Sequence, residues 1–302
     1  MNNIRWFELV FQQLRPIHIG KLNYGVLSET EIFIPGQTMW GALTKNYNLA
    51  NKINLNENQN LFSSITCFFP SLDGKNVLAP CYKDGVFCLN EGLSEDDFRF
   101  AFVDTFVSTA VNPLSREAAD ESLHEMDFVL PGPKNVLPQK GINKETRLKW
   151  IGLVGLEEYN SSVYDFLQED KLIITIGGEI KYGFGVLELI SVKEINEEFL
   201  EKWNLTENGN LFIKNKDYTE ETQIGLRNFV EINSRTCEKM KFEGNVIPIA
   251  EFDFTNNMPK IKEASLYINV GSKVYNLEKQ NKSVLDEYKL SKGKFKAMSI
   301  FL

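Results

Sequence analysis

The chain has 302 residues, of which 43% are hydrophobic and 22 are phenylalanine, so it has enough apolar side chains for well-packed cores and a length typical of about two domains. Its formal net charge of −8 argues against a protein that binds nucleic acid along a broad basic face, and any contact with RNA is therefore expected to be local. Because no apolar run approaches ~20 residues and the N-terminus lacks the layout of a signal peptide, we expect a cytoplasmic protein with no membrane partner.

Cysteine and histidine are too few and too scattered to predict a metal site. The cysteines form no Cys-x-x-Cys pair, and the histidines do not complete a zinc pattern. A solvated loop explains the closely spaced acids of residues 120–127, so no metal and no other cofactor is expected. The thiols are expected to be reduced and mostly buried: Cys67, Cys81, Cys88 and Cys237.

The first predicted unit is a strand, a loop and a helix. Residues 6–14 are rich in aromatic and β-branched side chains, as strands are, and Arg15-Pro16 follows. A polar connection that includes Lys21 comes next. The turn Pro35-Gly36-Gln37-Thr38 precedes an apolar face of helical spacing, which predicts a helix with Trp40 as a core residue rather than a stacking platform.

The middle of the chain is less regular. Ser94 and the acids after it predict a helix start, whereas the apolar run 98–107 fits a helix and a strand equally well. Residues 112–125 predict an exposed polar loop with Arg116 as its cation, and such a loop is either functional or simply solvated. The basic residues of the stretch 134–149 either contact RNA or belong to a solvated loop.

The most informative stretch is residues 172–189, because glycines 177, 178, 183 and 185 separate two apolar runs. It follows a helix predicted at residues 152–167, and its two runs predict a strand on each side of a tight turn. Glycine lets another backbone approach closely, and Lys181, Tyr182 and Phe184 add one cation and two stacking faces. This chemistry suits single-stranded RNA. A hairpin whose aromatic rings cap a core is the alternative.

Residues 191–302 predict a short acidic helix at 194–203 and then strands and hairpins. The stretch 289–302 has four lysines and no acid, and it either contacts RNA or a neighbouring subunit or packs on its own domain. The order of elements in the first part of the chain predicts an α+β sandwich of the ferredoxin-like or RNA-recognition-motif type.

Four landmarks occur in a specific order: Ile17-His18-Ile19-Gly20, residues 34–43, the loop 112–125, and the glycines from Gly177 to Gly185. Together they resemble the CRISPR-associated RAMP superfamily, whose RNA-recognition-motif-like members build crRNA-guided effector complexes. The single glycine-rich loop and the long C-terminal part, with Ile268-Asn269-Val270-Gly271-Ser272, are most similar to the Cas-five group of type III-D and related systems. Members of that group cap the 5′ handle of the crRNA.

The resemblance implies a ferredoxin-like RAMP domain over residues 1–190 and a C-terminal α+β extension or second small domain over residues 191–302. It implies a non-catalytic crRNA-binding subunit of an effector ribonucleoprotein. The implied partners are the crRNA 5′ handle, Cas-seven-type backbone subunits and a large or nuclease subunit, with target RNA contacted indirectly. Backbone subunits share the landmarks, so a backbone or assembly role is the alternative within the superfamily.

The resemblance also implies an RNA path along these landmarks. The glycine-rich loop would lie against handle phosphates and bases, and the loop 112–125 would shape or separate nucleotides. The sequence departs from the family pattern where Gln37-Thr38-Met39-Trp40 replaces a segment that usually contains a basic residue, and where the glycine-rich loop has a single cation. The implied RNA-binding residues are His18, Lys21, Gln37, Thr38, Arg116, Gly178, Lys181, Tyr182, Gly183 and Phe184.

An endoribonuclease is the alternative from a different functional class. Metal-independent RNA cleavage needs a general acid and base, and histidine is the usual choice because its pKa lies near neutrality. His18 is the one candidate, with Lys21 or Tyr24 assisting. Because no second catalytic group is evident beside it, we prefer a structural histidine in a protein that is not an enzyme.

Overall fold

The computed structural model describes residues 4–54, 57–90, 92–157, 161–213, 225–233, 240–253, 258, 260–276 and 284–298. The helices are α1 (Gly36–Ala50), α2 (Glu95–Phe102), α3 (Ser161–Leu167) and α4 (Glu197–Glu201). The strands are β1 (Ile4–Gln13), β2 (Gly20–Tyr24), β3 (Leu27–Thr30), β4 (Phe69–Ser71), β5 (Pro80–Lys83), β6 (Val86–Leu89), β7 (Leu93–Ser94), β8 (Val103–Ser108), β9 (His124–Val129), β10 (Lys149–Glu157), β11 (Ile173–Thr175), β12 (Val186–Glu194), β13 (Asn210–Phe212), β14 (Phe229–Glu231), β15 (Met240–Glu243), β16 (Val246–Asp253), β17 (Lys260–Ile268), β18 (Lys273–Asn276), β19 (Val284–Ser291) and β20 (Lys294–Ala297).

The N-terminal part is built on a five-stranded antiparallel sheet with the order β11-β12-β1-β10-β4. The chain enters it at β1, passes through α1 to β4, returns along β10, and passes through α3 to the hairpin β11–β12. The last strand therefore lies beside the first, and the third lies between the first and the second, which is the arrangement of the ferredoxin-like fold. The predicted α+β fold is confirmed.

The helix predicted over residues 152–167 is wrong in its first half. Residues 149–157 form β10 and Ser161–Leu167 is helical, while residues 158–160 lie outside the described residues. β10 is buried on both faces, so its apolar residues form a continuous run instead of alternating with polar ones. A Cβ atom at Gly152 would collide with the ring of Phe68, and one at Gly155 would meet Ile4 and Trp6, which explains both glycines.

Both faces of the five-stranded sheet are covered. On one face Phe7, Leu9 and Phe11 pack with the helix residues Leu43 and Phe166. The predicted apolar face of α1 is thus confirmed, with Met39, Leu43 and Tyr47 buried and Trp40 half-buried. On the other face, Trp6 and Val10 of β1 pack with apolar residues of the C-terminal part, among them Trp203, Tyr267 and Phe295.

The C-terminal part consists of α4 and a six-stranded sheet with the order β13-β19-β20-β14-β17-β16, beside the two-stranded pair β15-β18. The division of the chain at residue 190 stays a prediction; β12 continues to Glu194 within the first sheet. Among the described residues, no helix combines the length and the apolar character needed to cross a membrane.

The lysine-rich end packs largely on its own chain. Lys294 is buried in an ion pair with Glu251, and Lys296 lies 2.9 Å from Glu251 and 2.8 Å from Glu263. The ammonium of Lys292 lies 3.6 Å from the centre of the Trp40 ring, a cation–π contact with α1. Residues 299–302 and Cys237 lie outside the described residues.

Two smaller sheets complete the fold. One has the order β2-β3-β9-β8, and the other has the order β5-β6-β7. The ambiguous run 98–107 is both a helix and a strand: α2 ends at Phe102 and β8 begins at Val103. Ser94 caps α2 as predicted, because its hydroxyl accepts a hydrogen bond from the backbone of Asp97 and the Asp97 carboxylate accepts one from the backbone of Ser94.

Candidate nucleic-acid interface

The glycine-rich loop connects β11 to β12 and is fixed to the segment that follows β1. The backbone N–H of Gly178 donates to the carbonyl of His18 at 2.9 Å, and that of Gly185 donates to the carbonyl of Pro16 at 2.7 Å. At Gly177, where φ is +73°, a Cβ atom would strike the His18 carbonyl. Glycine is therefore required here for a close approach within the protein itself.

The remainder of the loop is open to solvent. Residues Ile180–Tyr182 form a single 3₁₀ turn, and Lys181, Tyr182 and Gly183 are exposed. Nothing lies within 4 Å of the position that a Cβ atom would take at Gly183. A ligand backbone therefore has access to this side of the loop.

Two aromatic pairs join the loop to the hairpin β8–β9. The rings of Tyr182 and Phe106 lie 6.1 Å apart, and those of Phe184 and Phe128 lie 5.2 Å apart, both tilted. Tyr182 is 65% exposed and Phe106 is 40% exposed, whereas Phe184 and Phe128 are half-buried. Each of the two predicted roles of the loop therefore fits one ring. Phe184 packs within the protein, as in a hairpin that caps a core, whereas Tyr182 offers a face to solvent on which a base could stack.

His18 is held as a structural histidine would be. Only 8% of it is exposed, and its ring Nδ1 lies 2.7 Å from the carbonyl oxygen of Asp127, to which it donates a hydrogen bond. That bond places the proton on Nδ1 and ties the ring to β9. The backbone of His18, rather than its side chain, binds the glycine-rich loop at Gly178.

Lys21 is surrounded by acids. Its ammonium lies 3.1 Å from Glu29 and 3.2 Å from Glu95, and Arg99 binds the same two carboxylates. Burial lowers the pKa of Lys21, but the carboxylates, Glu95 foremost, outweigh it and raise the pKa. Lys21 therefore neutralises these acids and is less available to a phosphate than an isolated lysine would be.

The other predicted RNA-binding residues lie on separate elements. Gln37 and Thr38 are in the first turn of α1, where Gly36 packs against the backbone of Gly293 and the Lys294 ammonium donates to Gln37 at 3.1 Å. This turn faces the C-terminal sheet. Arg116 is exposed in the loop between β8 and β9, with a φ of +59°. The role of each in binding RNA stays a prediction.

The basic cluster of residues 134–149 is partly neutralised. Lys134 pairs with Asp104 at 3.3 Å, and Lys140 lies 3.8 Å from Asp97. Lys144 is exposed. The cluster therefore contributes less free positive charge than its sequence indicates.

Phe106 and Phe128 were missed by the sequence analysis. Phe106 falls in the ambiguous run 98–107, and neither β8 nor β9 shows a regular alternation of exposed and buried positions that would mark these two rings. Identifying the register of β8 against β9, in which Phe106 lies opposite Met126 and Asp104 opposite Phe128, would have found them. Within the described part of the chain, no group of three or more His, Cys, Asp or Glu side chains is arranged to hold a metal ion.

No protein-family model matches the chain, and no curated protein matches it. The likeness to known proteins is therefore one of three-dimensional structure. The class that the fold defines is α+β, with a ferredoxin-like sheet and a second, mainly β, part.

Solved structures share this fold. One is a chain of the cryo-EM structure of the Type III-B Cmr-beta bound to cognate target RNA and AMPPnP, with a TM-score of 0.54 and 15% sequence identity, over 88% of this chain and 85% of that one. Another is a chain of the Type III-B Cmr-beta bound to cognate target RNA, with a TM-score of 0.53 and 14% identity, over 89% and 86% of the two chains. At these identities the likeness shows the fold, and it extends over both parts of the chain.

Proposed function

We propose that this protein is a non-catalytic, RNA-binding subunit of a type III-related CRISPR effector ribonucleoprotein. In finer terms, we propose that it caps the 5′ handle of the crRNA beside a Cas-seven-type backbone subunit. The fold that it shares over most of its length with chains of RNA-bound complexes supports the class. The serial landmarks of the sequence support the assignment to the handle.

The observation that carries the proposal is the exposed pair Tyr182 and Phe106 beside Lys181. A single-stranded RNA needs flat faces for its bases and a cation or N–H groups for its phosphates, and these three exposed residues offer both in the loop and on the strand beside it. The free face of an RNA-recognition-motif sheet is the common stacking surface. Here that face is covered by the C-terminal part, so the loop is the better candidate.

The environment of His18 favours binding over catalysis. A general acid or base must reach the proton it transfers, whereas this ring is buried and one of its nitrogens is already bound to Asp127. Lys21, its supposed assistant, is paired with Glu29 and Glu95. A repeat-cleaving nuclease therefore has less support than a binding subunit.

The test is RNA binding by Tyr182→Ala and Phe106→Ala variants, measured by fluorescence anisotropy with repeat-derived RNA that carries the 5′ handle. Stacking of a base on an aromatic ring is worth about 1–3 kcal/mol, so each variant should lose about 5- to 150-fold in affinity. Phe100→Ala is the matched control, since Phe100 is also an exposed phenylalanine of this part of the chain, at 56%, but lies on α2. It should bind like the wild type.

Equal affinity of all variants would contradict the proposed site. Where the isolated protein binds too weakly to measure, the same variants are incorporated into the effector complex of the same system, and the protection of the handle from nuclease is measured. Cleavage of the RNA by the wild type in the presence of a chelator, abolished in His18→Gln, would instead support the nuclease.

A further inference from the structure

Cys81 and Cys88 lie opposite each other on the hairpin β5–β6. They are register partners in the antiparallel pairing, and their sulfur atoms lie 2.7 Å apart, with one thiol donating to the other. The connecting turn is Asp84-Gly85, with φ values of +51° and +78°, as in a two-residue type I′ hairpin. Counting from such a turn, Cys81 and Cys88 occupy a hydrogen-bonded pair, whose Cα atoms are typically about 5.5 Å apart. A disulfide bond accepts that separation.

The two thiols differ in access. Cys88 is buried, whereas Cys81 is half-buried and reachable from solvent. The third described cysteine, Cys67, is fully buried, and burial raises the pKa of its thiol to about 12, so that it does not compete as a thiolate.

The hairpin lies between the two parts of the protein. The hydroxyl of Tyr82 accepts hydrogen bonds from the side-chain amides of Asn245 at 3.1 Å and Asn269 at 3.4 Å, both in the C-terminal part. Phe87 packs against the apolar cores on both sides of the five-stranded sheet. A covalent bond across this hairpin would therefore stiffen the element that joins the C-terminal sheet to the first.

We propose that Cys81 and Cys88 form a redox-active dithiol that is oxidised reversibly by low-molecular-weight disulfides. The Cys81 thiolate attacks the disulfide, forms a mixed disulfide, and releases one thiol. The Cys88 thiolate then attacks the Cys81 sulfur and releases the second thiol. Two cysteine thiols are oxidised, one disulfide is reduced to two thiols, and the two cysteine protons pass to the departing thiolates. This site does not depend on the proposed RNA-binding function.

The test exposes the folded full-length protein to mixtures of oxidised and reduced glutathione, followed by an acid quench, alkylation and tryptic peptide mapping. Cleavage at Lys75, Lys83 and Arg99 places the two cysteines on separate peptides, residues 76–83 and 84–99. We expect these peptides to become linked as the oxidised fraction rises, with loss of two of the four alkylatable thiols, and to separate again in excess reduced glutathione.

Two variants make the result decisive. In Cys88→Ala the reaction should stop at the glutathione adduct of Cys81, whereas Cys67→Ala should still form the link. The wild-type measurement needs no variant and remains informative if either one fails to fold. Peptides that stay unlinked in the folded wild type at the most oxidising mixture, or a stable glutathione adduct on wild-type Cys81, would overturn the proposal.

Discussion

Replacing Gly185 by alanine tests the backbone geometry on which the candidate interface rests. Gly185 has a φ of +79°, and a Cβ atom there would strike the carbonyl oxygen of Ile176. Gly183, two residues earlier, has a φ of +80° but has nothing within 4 Å of its Cβ position. The two glycines share the left-handed conformation and differ in the space around them, so Gly183→Ala is a matched control for Gly185→Ala.

The expected costs follow from that difference. A left-handed conformation costs a residue with a Cβ atom about 1–2 kcal/mol, and this applies to both variants. Forcing extra volume into a packed site costs a further ~1–3 kcal/mol, and this applies to Gly185→Ala alone because its neighbour is backbone. We therefore expect Gly183→Ala to lower the free energy of unfolding by about 1–2 kcal/mol and Gly185→Ala by about 2–5 kcal/mol.

The assay is urea denaturation followed by tryptophan fluorescence, with linear extrapolation to water. The buried Trp150 lies in the same sheet as β12 and reports on it. If the losses of unfolding free energy in Gly183→Ala and Gly185→Ala agree within about 0.5 kcal/mol, the predicted clash at Gly185 is wrong. A larger loss of unfolding free energy in Gly183→Ala than in Gly185→Ala would show that the space around Gly183 is not open.

Four further expectations concern charged residues. Burial raises the pKa of Glu31 to about 7, so the folded state holds an extra proton and loses stability as the pH rises from about 4.5 to about 7. Glu31→Gln should remove this pH dependence and raise the free energy of unfolding at pH 8 by up to about 3 kcal/mol. Urea titrations at pH 5 and pH 8 would measure both effects. Burial acts to raise the pKa of Glu251, but Lys294 and Lys296 outweigh it and lower the pKa to about 2. The ionised carboxylate therefore stabilises the folded state above pH 4.5, and this stabilisation is lost as the pH falls towards 2. If Glu251→Gln loses stability with falling pH as steeply as the wild type does, this expectation is wrong. Lys294→Met leaves the half-buried Glu251 with Lys296 as its remaining partner and removes a charge-assisted hydrogen bond, so it should cost about 1.5–3 kcal/mol. The double variant with Glu251→Gln should lose less than the two single changes added together. Lys181→Ala should reduce the salt slope of RNA binding by about 0.7, whereas Lys144→Ala, which replaces an exposed lysine elsewhere, should leave it unchanged.

Local patterns in the sequence were sufficient for α1, for the start of α2 and for the two strands that flank the glycine-rich loop. The apolar face of α1, the cap at Ser94 and the strands on each side of the glycines follow from periodicity and from turn chemistry, which depend on residues close together in the chain. Local patterns failed at β10, because a strand that is buried on both faces has the same continuous apolar composition as a buried helix.

Only the tertiary structure decided what each of these surfaces contacts. The sequence predicts an exposed cation at Lys21 and a polar helix start at Gln37, but the first is bound by Glu29 and Glu95, and the second by Lys294, 257 residues away. Phe106 likewise became part of the candidate site only when β8 was placed beside the loop. Periodicity records whether a side chain is buried or exposed, whereas the identity of its partner depends on contacts between distant segments, which no local pattern contains.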